Sequence, residues 1–339
     1  MDKIFAGSAL RVLIVEHFMT FSSPYSLILD TDMGADCDDT GALSVLHHLA
    51  DAGEVRPLAV IYSSGRTPWG AGLCDAINHE HGRPLPLGAY KGDDVGERID
   101  KIGAEEISKD VARYGHRVTH GDDVRDALEV YRSALAAEPD GSVKIVAIGH
   151  LKALYDLLQS KADEASPLSG RDLVSAKVAE LVVMGGQFPA SGETAEWNFG
   201  ACDAQRWTGP VLRDWPTRMV FTGFEIGKQV VTGNWLFNPE DMSAMARSYR
   251  AYKAWQGWDI PGNFSWDQTA VLYAVRGLEH EGQVYWTLGP RGSIVVEADG
   301  KNGWRADESG RDYYLVEAMS GAQMAVLIDG LMGKPASHN

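Results

Sequence analysis

Two kinds of hydrophobic pattern alternate along this chain from about residue 26 onward. Short apolar runs, such as Ser26–Asp30 and Val178–Met184, are typical of strands that are buried on both faces of a sheet. Longer stretches such as Thr40–Ala52 repeat apolar residues every three to four positions and are typical of helices. This alternation predicts an α/β fold, with helices on both faces of a mostly parallel central sheet.

The same patterns predict the other elements. Further strands are predicted at Val55–Ser63, Leu85–Ala89, Val143–Gly149 and Arg218–Thr222, with a late β patch at Gln283–Leu288, Ser293–Val296 and Tyr313–Val316. Further helices are predicted at Gly70–Gly82, Asp122–Ala137 with an Asp cap, Leu151–Ser160, Asp241–Trp258, Trp266–Val275 and Ala318–Leu331. The charged stretch 91–121 is poorly periodic and is interpreted as an excursion.

Composition and charge narrow the class of protein. An apolar content of 45% and a charged content of 23% are typical of a globular protein, and the net charge of −16 argues against a nucleic-acid partner. Three scattered cysteines do not make a disulfide framework. Residues 1–25 lack a convincing signal-peptide pattern and are expected to form a loosely ordered extension before a single domain at 26–339. No 18-residue apolar run occurs, so we expect a cytoplasmic protein without a membrane partner.

One short segment concentrates the chemistry. The run LILDTDMGADCDDTGAL places five aspartates within ten residues, at the end of the first predicted strand: Asp30, Asp32, Asp36, Asp38 and Asp39. Carboxylates packed this closely repel one another, and a divalent cation is the usual counter-charge. Because ligands of open α/β sheets bind at the carboxyl ends of strands, the run predicts a hard-metal site there.

Other interpretations of the acidic run fit less well. An EF-hand loop counted from Asp30 has Gly34 at its fifth position, and one counted from Asp32 has Cys37 at its sixth, so neither count fits. A phosphatase-type Asp-x-Asp leaves the last two aspartates unexplained, and a solvated acidic turn that caps the next helix is the plain alternative. Cys37 is interpreted as a small packing residue rather than a zinc ligand, because no Cys or His lies at zinc spacing.

Five blocks of the sequence carry a family resemblance. The acidic run resembles the Asp-x-Asp-x-Gly-(spacer)-Asp-Asp signature of the nucleoside hydrolases, with a spacer two residues longer than in the best-known members. Four further blocks are similar to family segments and follow in the same order: VAIGHL from Val146, VVMGG from Val182, AEWN from Ala195 and WDQTAV from Trp266. The resemblance spans most of the chain and implies the Rossmann-like nucleoside hydrolase fold, with Ca²⁺-dependent hydrolysis of nucleosides.

The resemblance also implies a set of metal ligands. Asp32 would be both the general base and a calcium ligand, and Asp39, Asp267 and the backbone carbonyl of Ile148 would complete the ligands from the protein. The plain alternative for Asp267, taken alone, is that it caps the helix that follows it. Asp30 would lie just outside this set.

A second implied set would hold the sugar. Asp38, Glu196 and Asn198 would hydrogen-bond the ribose hydroxyls, and Met184 would lie near the sugar. Asp36 is an alternative to Asp38 in that role. The plain alternatives are surface-loop residues for Glu196 and Asn198 and core packing for Met184.

Departures from the family pattern bear on the substrate. Trp266 stands where pyrimidine-accepting members have a His that helps to protonate the leaving base, which is similar to the purine-specific branch. Trp69 is a candidate for the opposite face of a stacked purine, with loop anchoring as its alternative. Arg66 and Ala190 stand where the family often has Asn.

The sequence thus favours a Ca²⁺-dependent hydrolase of purine ribonucleosides, with a small-molecule nucleoside as its partner and a homodimer or homotetramer as its assembly. One alternative is a hydrolase of another N-glycoside or a modified sugar. The other is a non-catalytic, calcium-dependent protein that binds a sugar or nucleoside.

Overall fold

The computed structural model describes residues 25–333. The predicted N-terminal extension lies outside the described residues, except for Tyr25, which begins the first strand. Among the described residues, no helix has the length and apolar character needed to cross a membrane.

Strands and helices alternate through the first two thirds of the chain, and short strands dominate the rest. The strands are β1 (Tyr25–Thr31), β2 (Val55–Tyr62), β3 (Leu87–Ala89), β4 (Arg125–Asp126), β5 (Val143–Ala147), β6 (Val178–Met184), β7 (Arg218–Thr222), β8 (Val231–Thr232), β9 (Asn263–Phe264), β10 (Glu279–His280), β11 (Gln283–Val284), β12 (Trp286–Leu288), β13 (Gly292–Val296), β14 (Asn302–Ala306) and β15 (Tyr313–Glu317). The α-helices are α1 (Asp38–Asp51), α2 (Gly70–Glu80), α3 (Ala104–Lys109), α4 (Val111–Tyr114), α5 (Ala127–Ala136), α6 (Lys152–Gln159), α7 (Gly170–Lys177), α8 (Trp197–Gly200), α9 (Gln205–Asp214), α10 (Phe224–Gly227), α11 (Ala244–Gln256), α12 (Trp266–Arg276) and α13 (Gly321–Leu331). Two 3₁₀ helices lie at Gly121–Asp123 and Asn234–Phe237.

The central sheet has nine strands in the order β12–β15–β7–β6–β5–β1–β2–β3–β4. Neighbouring strands are parallel except for the edge pair β12 and β15. The chain builds the sheet outward from β1 to β4 and then returns to the other side of β1 with β5. This reversal makes the ends of β1 and β5 a topological switch point, where open α/β sheets place their ligands.

Side chains of the central strands alternate between two apolar layers, one on each face of the sheet. In β1, Leu27 and Leu29 pack into the layer that contains Val271 of α12, whereas Ile28 packs into the layer that contains Leu154 of α6. A strand covered on both sides has no solvent face, so its apolar residues are continuous. The predicted α/β class is therefore confirmed.

Several element boundaries differ from the predicted ones. The helix predicted from Asp122 begins at Ala127, because Asp126 is the residue whose side chain accepts a hydrogen bond from the amide of Leu128, at 2.8 Å. The stretch 91–121, predicted as an excursion, contains the short helices α3 and α4. The sequence pattern does not predict helices α7 to α10, and three of these four have eight residues or fewer.

Candidate functional site

The ends of β1 and β5 approach each other closely at the switch point. Asp32 directly follows β1, and the amide of Ile148, just after β5, donates a hydrogen bond of 2.8 Å to the carbonyl of Asp30. A Cβ atom at Gly149 would lie 2.6 Å from the backbone nitrogen of Asp32 and 2.8 Å from its Cγ. The absence of a side chain at this position lets the two chain segments meet.

Four carboxylates converge beside this point. Asp36, Asp38, Asp39 and Asp267 each offer an oxygen, and these oxygens all lie within 4.8 Å of one another. Asp38 and Asp39 belong to the first turn of α1, and Asp267 belongs to the first turn of α12. The amide of Asp267 donates to Oδ2 of Asp38 at 3.1 Å, across 229 residues of sequence. Two helix N-termini, which favour negative charge, therefore face one group of acids.

The electrostatics of these acids fit a bound cation. Burial raises the pKa values of Asp38, Asp39 and Asp267 well above their usual range, and repulsion between the carboxylates raises each pKa further. Asp38 and Asp39 are each only 1% exposed, so water does little to stabilise their charge. Since all of the side-chain donors are oxygens, this Asp cluster has the composition of a site for a hard metal ion.

Asp32 lines the same cavity but does not belong to the group of four. Its Oδ2 atom is buried and has no hydrogen-bond partner among residues 25–333. Nε2 of His150 lies 3.4 Å from that oxygen. Burial lowers the pKa of His150 to about 4, so the imidazole is neutral at pH 7. Burial also raises the pKa of Asp32, and repulsion from Asp39 contributes next. His150 belongs to the family-like block that begins at Val146, but the sequence pattern gives it no role.

Asp30, Thr31 and Cys37 lie next to the Asp cluster in the sequence but do not line the cavity. The hydroxyl of Tyr131 donates to Oδ2 of Asp30 at 2.5 Å, and burial raises the pKa of Asp30 to about 7. Thr31 Oγ1 hydrogen-bonds Asp39 Oδ1 and so orients that carboxylate. Cys37 is a buried member of the apolar core, as its interpretation as a packing residue requires.

The residues that were predicted to hold the sugar line the cavity, but they also bond the protein itself. Nδ2 of Asn198 donates to the carbonyls of Ile148 and Met184, at 3.0 and 3.1 Å. The Glu196 carboxylate accepts from the amides of Asn198 and Gly186, at 3.0 and 2.9 Å, and caps α8. Burial raises the pKa of Glu196 to about 7. In this structure, Asn198 thus orients the carbonyl that was predicted to be a metal ligand.

Aromatic side chains form much of the remaining lining of the cavity, which measures about 290 Å³. Trp266 stacks on Phe224 with ring centroids 5.3 Å apart, and its Nε1 donates to the carbonyl of Phe224 at 2.9 Å. Four further aromatic residues line the cavity and were not singled out from the sequence: Trp197, Tyr252, Trp255 and Trp258. Tyr252 and Trp255 belong to α11, Trp197 belongs to α8, and Trp258 lies in the loop after α11. No local sequence pattern connects these segments, so the sequence did not indicate that the four residues share a cavity.

Trp69 does not line this cavity, contrary to its predicted place opposite Trp266. Its ring packs edge-on against His120, with centroids 5.3 Å apart, and the ammonium group of Lys109 lies 4.3 Å from its centroid. These contacts hold the loop after β2 against the stretch at 109–120. They correspond to the alternative role of loop anchoring.

Arg66 and Ala190, which stand in place of Asn residues, also have structural contacts. The Arg66 guanidinium donates to the carbonyls of Asp93, Gly96 and Cys202 and forms an ion pair with Asp203. Ala190 forms an isolated β-bridge with Gly303. Neither residue lines the cavity.

Proteins of known structure share this architecture over most of the chain. An inosine-uridine preferring nucleoside hydrolase from Bacillus anthracis is 15% identical with a TM-score of 0.65, covering 92% of this chain and 100% of that chain. A plant nucleoside hydrolase is 18% identical with a TM-score of 0.66, covering 92% and 100%. The type III effector protein XopQ, solved with adenosine diphosphate ribose, is 17% identical with a TM-score of 0.65, covering 92% and 94%. No protein-family model and no curated protein matches the chain.

At these identities the likeness establishes the fold alone. The chain has the α/β fold that the nucleoside hydrolases have, with the mostly parallel sheet predicted from its sequence. The resemblance inferred from the five sequence blocks is thus confirmed at the level of the fold.

Proposed function

We propose that this protein hydrolyses the N-glycosidic bond of ribonucleosides in a Ca²⁺-dependent reaction and prefers purine nucleosides. The observation that carries the proposal is the composition of one cavity. Its floor has five aspartates, including Asp32, and most of the apolar side chains that line it are aromatic. A polar, hydroxyl-rich sugar fits the first surface, and a flat base fits the second.

The chain's own oxygens provide the proposed metal site. Asp39 and Asp267 lie within the four-carboxylate cluster, while Asp32 and the carbonyl of Ile148 border the same cavity. When bound, Ca²⁺ would offset the charge of the carboxylates and help to orient two ribose hydroxyls. Asp38 and Asp36 belong to the same cluster. One of these two acids is proposed to hydrogen-bond a ribose hydroxyl.

Asp32 is the proposed general base. A base must have an accepting atom available, and Oδ2 of Asp32 is buried without a hydrogen-bond partner among the described residues. It takes a proton from the water molecule that attacks C1′ as the bond to the base breaks. Neutral His150, 3.4 Å away, adds no positive charge that would weaken the basicity of Asp32.

Trp266 is proposed to stack on the leaving base. The residue immediately before Asp267 is Trp266 rather than a His, so this position offers an aromatic π surface instead of an imidazole acid. Large, flat purines gain more from that surface than pyrimidines. This supports the preference for purine nucleosides.

A different N-riboside is the second candidate for the substrate. The amide nitrogen of Asn198 bonds two backbone carbonyls, and Arg66 lies away from the cavity, so the sugar contacts differ from those implied by the resemblance. One protein with this fold was solved with adenosine diphosphate ribose. A non-catalytic binding protein is the third candidate, which the unpartnered Asp32 disfavours because binding alone requires no base.

A single assay separates these candidates. Release of reducing sugar is measured over a panel of purine and pyrimidine nucleosides and other N-ribosides, with Ca²⁺ and with a chelator. Ca²⁺-dependent release from nucleosides supports the proposal, whereas release only from other N-ribosides supports the second candidate. Binding of nucleosides without release supports the third. A cytoplasmic location and a homodimeric or homotetrameric assembly remain predictions from the sequence.

A further inference from the structure

Lys101 is the one basic side chain among the described residues that line the cavity. Its ammonium group donates a hydrogen bond of 2.8 Å to Oε1 of Glu97, and its side chain is 9% exposed. The same nitrogen lies 4.7 Å from the ring centroid of Trp197 and 4.8 Å from that of Trp255. A lysine held this deeply is costly to bury, and its three N–H donors are not all used by one carboxylate oxygen.

Exposure shows which end of the cavity Lys101 occupies. Trp197 and Trp255 are each 49% exposed, whereas Asp38 and Asp39 are each 1% exposed. The acids therefore form the floor of the cavity and the two tryptophans belong to its mouth. Because the ammonium group of Lys101 lies 4.7 and 4.8 Å from the centroids of these two rings, its charge is at the aromatic part of the cavity lining, to which the proposed function assigns the base.

Another lysine of this chain, Lys109, makes the same kinds of contact as Lys101 but does not line the cavity. Lys109 pairs with Glu105 at 2.5 Å, with the same four-residue spacing, and lies 4.3 Å from the ring centroid of Trp69. The side chain of Lys109 is 54% exposed and lines no part of the cavity. The two lysines share their pairing and ring contact and differ in access to the cavity, so Lys109 is a matched control.

We infer that Lys101 is the hydrogen-bond and proton donor to the departing base, an inference that rests on the proposed function. As the C1′–N bond breaks, its electron pair stays on the base. A water oxygen bonds to C1′, and the water proton goes to Asp32. A ring nitrogen of the base takes a proton from the ammonium group of Lys101, and solvent then returns a proton to the lysine. A cation placed where negative charge develops stabilises the transition state more than the ground state.

The test compares two leaving groups. Inosine has a poor leaving group that needs a proton, whereas 4-nitrophenyl β-D-ribofuranoside releases an anion that is stable without one. Lys101→Met should lower kcat on inosine by about 10²-fold or more, in the range for a positioned proton donor. Its kcat on the nitrophenyl riboside should fall by less than about tenfold. Lys101→Arg should restore part of the inosine activity, and Lys109→Met should match the wild type on both substrates.

The possible outcomes separate the inference from the proposed function. Wild-type activity on inosine that persists in Lys101→Met overturns the inference alone. An equal loss on both substrates also overturns it, because it identifies a structural role. Wild-type protein that cleaves neither substrate overturns the proposed function, and the inference with it. A selective loss on inosine, with nitrophenyl activity retained as evidence of correct folding, supports both.

Discussion

Asp32 differs from the neighbouring aspartates in the partners of its carboxylate. Asp39 accepts a hydrogen bond from Thr31, and Asp38 accepts one from the amide of Asp267. In contrast, Oδ2 of Asp32 has no hydrogen-bond partner among the described residues, and Nε2 of His150 lies 3.4 Å from it. An acid that orients a ligand benefits from being held by other groups. An acid that accepts a proton needs an open lone pair.

Replacing Asp32 by Asn should abolish hydrolysis, because an amide cannot accept the proton from water. The expected loss in kcat is about 10²–10⁴-fold at saturating Ca²⁺, measured by sugar release. Asp39→Ala is the comparison variant, and its main effect should be weaker Ca²⁺ binding by calorimetry. Near wild-type turnover in Asp32→Asn would show that the base lies elsewhere.

Replacing Trp266 by Ala tests the role of stacking. If stacking assists departure of the base, the variant should lose kcat on inosine as well as affinity, because the contact then acts in the transition state. Stacking in the ground state alone would raise KM and leave kcat unchanged. Trp69→Ala is the matched control, since Trp69 packs on His120 outside the cavity.

The wild-type protein should cleave inosine, adenosine and guanosine far better than uridine, because larger bases gain more from the aromatic wall. The measurement is kcat/KM for each nucleoside. Equal efficiency on uridine and inosine would refute the purine preference while leaving the hydrolase proposal intact.

At the scale of elements, the site depends on how closely β1 and β5 approach. A Cβ at Gly149 would lie 2.6 Å from backbone nitrogen, a contact that real Cβ atoms do not make, so the strand ends would have to move apart. The same movement would displace Asp32 from the cavity floor. The packing of the two strand ends and the position of Asp32 thus both depend on the lack of a side chain at Gly149.

We expect Gly149→Ala to destabilise the protein by about 1–3 kcal/mol, as overpacking does, and to lower activity further through Asp32. Urea unfolding and sugar release measure the two effects. Gly330→Ala is the control, because an alanine Cβ at Gly330, in α13, would meet no neighbouring side chain within 4 Å, and alanine favours a helix. A Gly149→Ala variant as stable and active as Gly330→Ala would contradict the close contact.

At the scale of the whole molecule, the clustered acids oppose folding when no cation is bound. Their pKa values are raised in the folded state, so the folded chain binds more protons than the unfolded chain. The stability that comes from keeping these acids protonated in the folded state is fully present below their unfolded pKa, near pH 4. It is lost as the pH rises through their folded pKa, because the buried carboxylates then become charged. A bound cation would remove this penalty at neutral pH.

The rise in Tm on adding Ca²⁺ should therefore be larger at pH 8 than at pH 5, where protons compete for the same oxygens. A ligand at 100 times its Kd adds about 2.7 kcal/mol to the free energy of unfolding. Thermal melts with chelator and with Ca²⁺ at both pH values measure the difference. Asp39→Ala should lose most of the rise, and a wild-type protein with no rise at pH 8 would rule out the calcium site.

Local sequence patterns determined most of the strands and helices and the acidic part of the cavity. The apolar run before Asp30 and the periodic stretch after Asp39 were enough to predict β1 and α1, because strand and helix patterns are encoded within a few neighbouring residues. The acidic run between them predicted the floor of the cavity. The short helices α3 and α4 were missed, because elements of six and four residues carry too little periodicity.

Only the tertiary structure decided which distant side chains share the cavity. Asp267 reaches Asp38 across 229 residues, and the family resemblance rather than any local pattern had pointed to it. No local sequence pattern distinguished Lys101, His150 or the aromatic residues that line the cavity. Trp69 is an aromatic residue that could stack on a base, but it packs against His120 outside the cavity. Sequence encodes what each segment prefers over a few residues, but proximity in space depends on strand order and on which partners compete for each side chain.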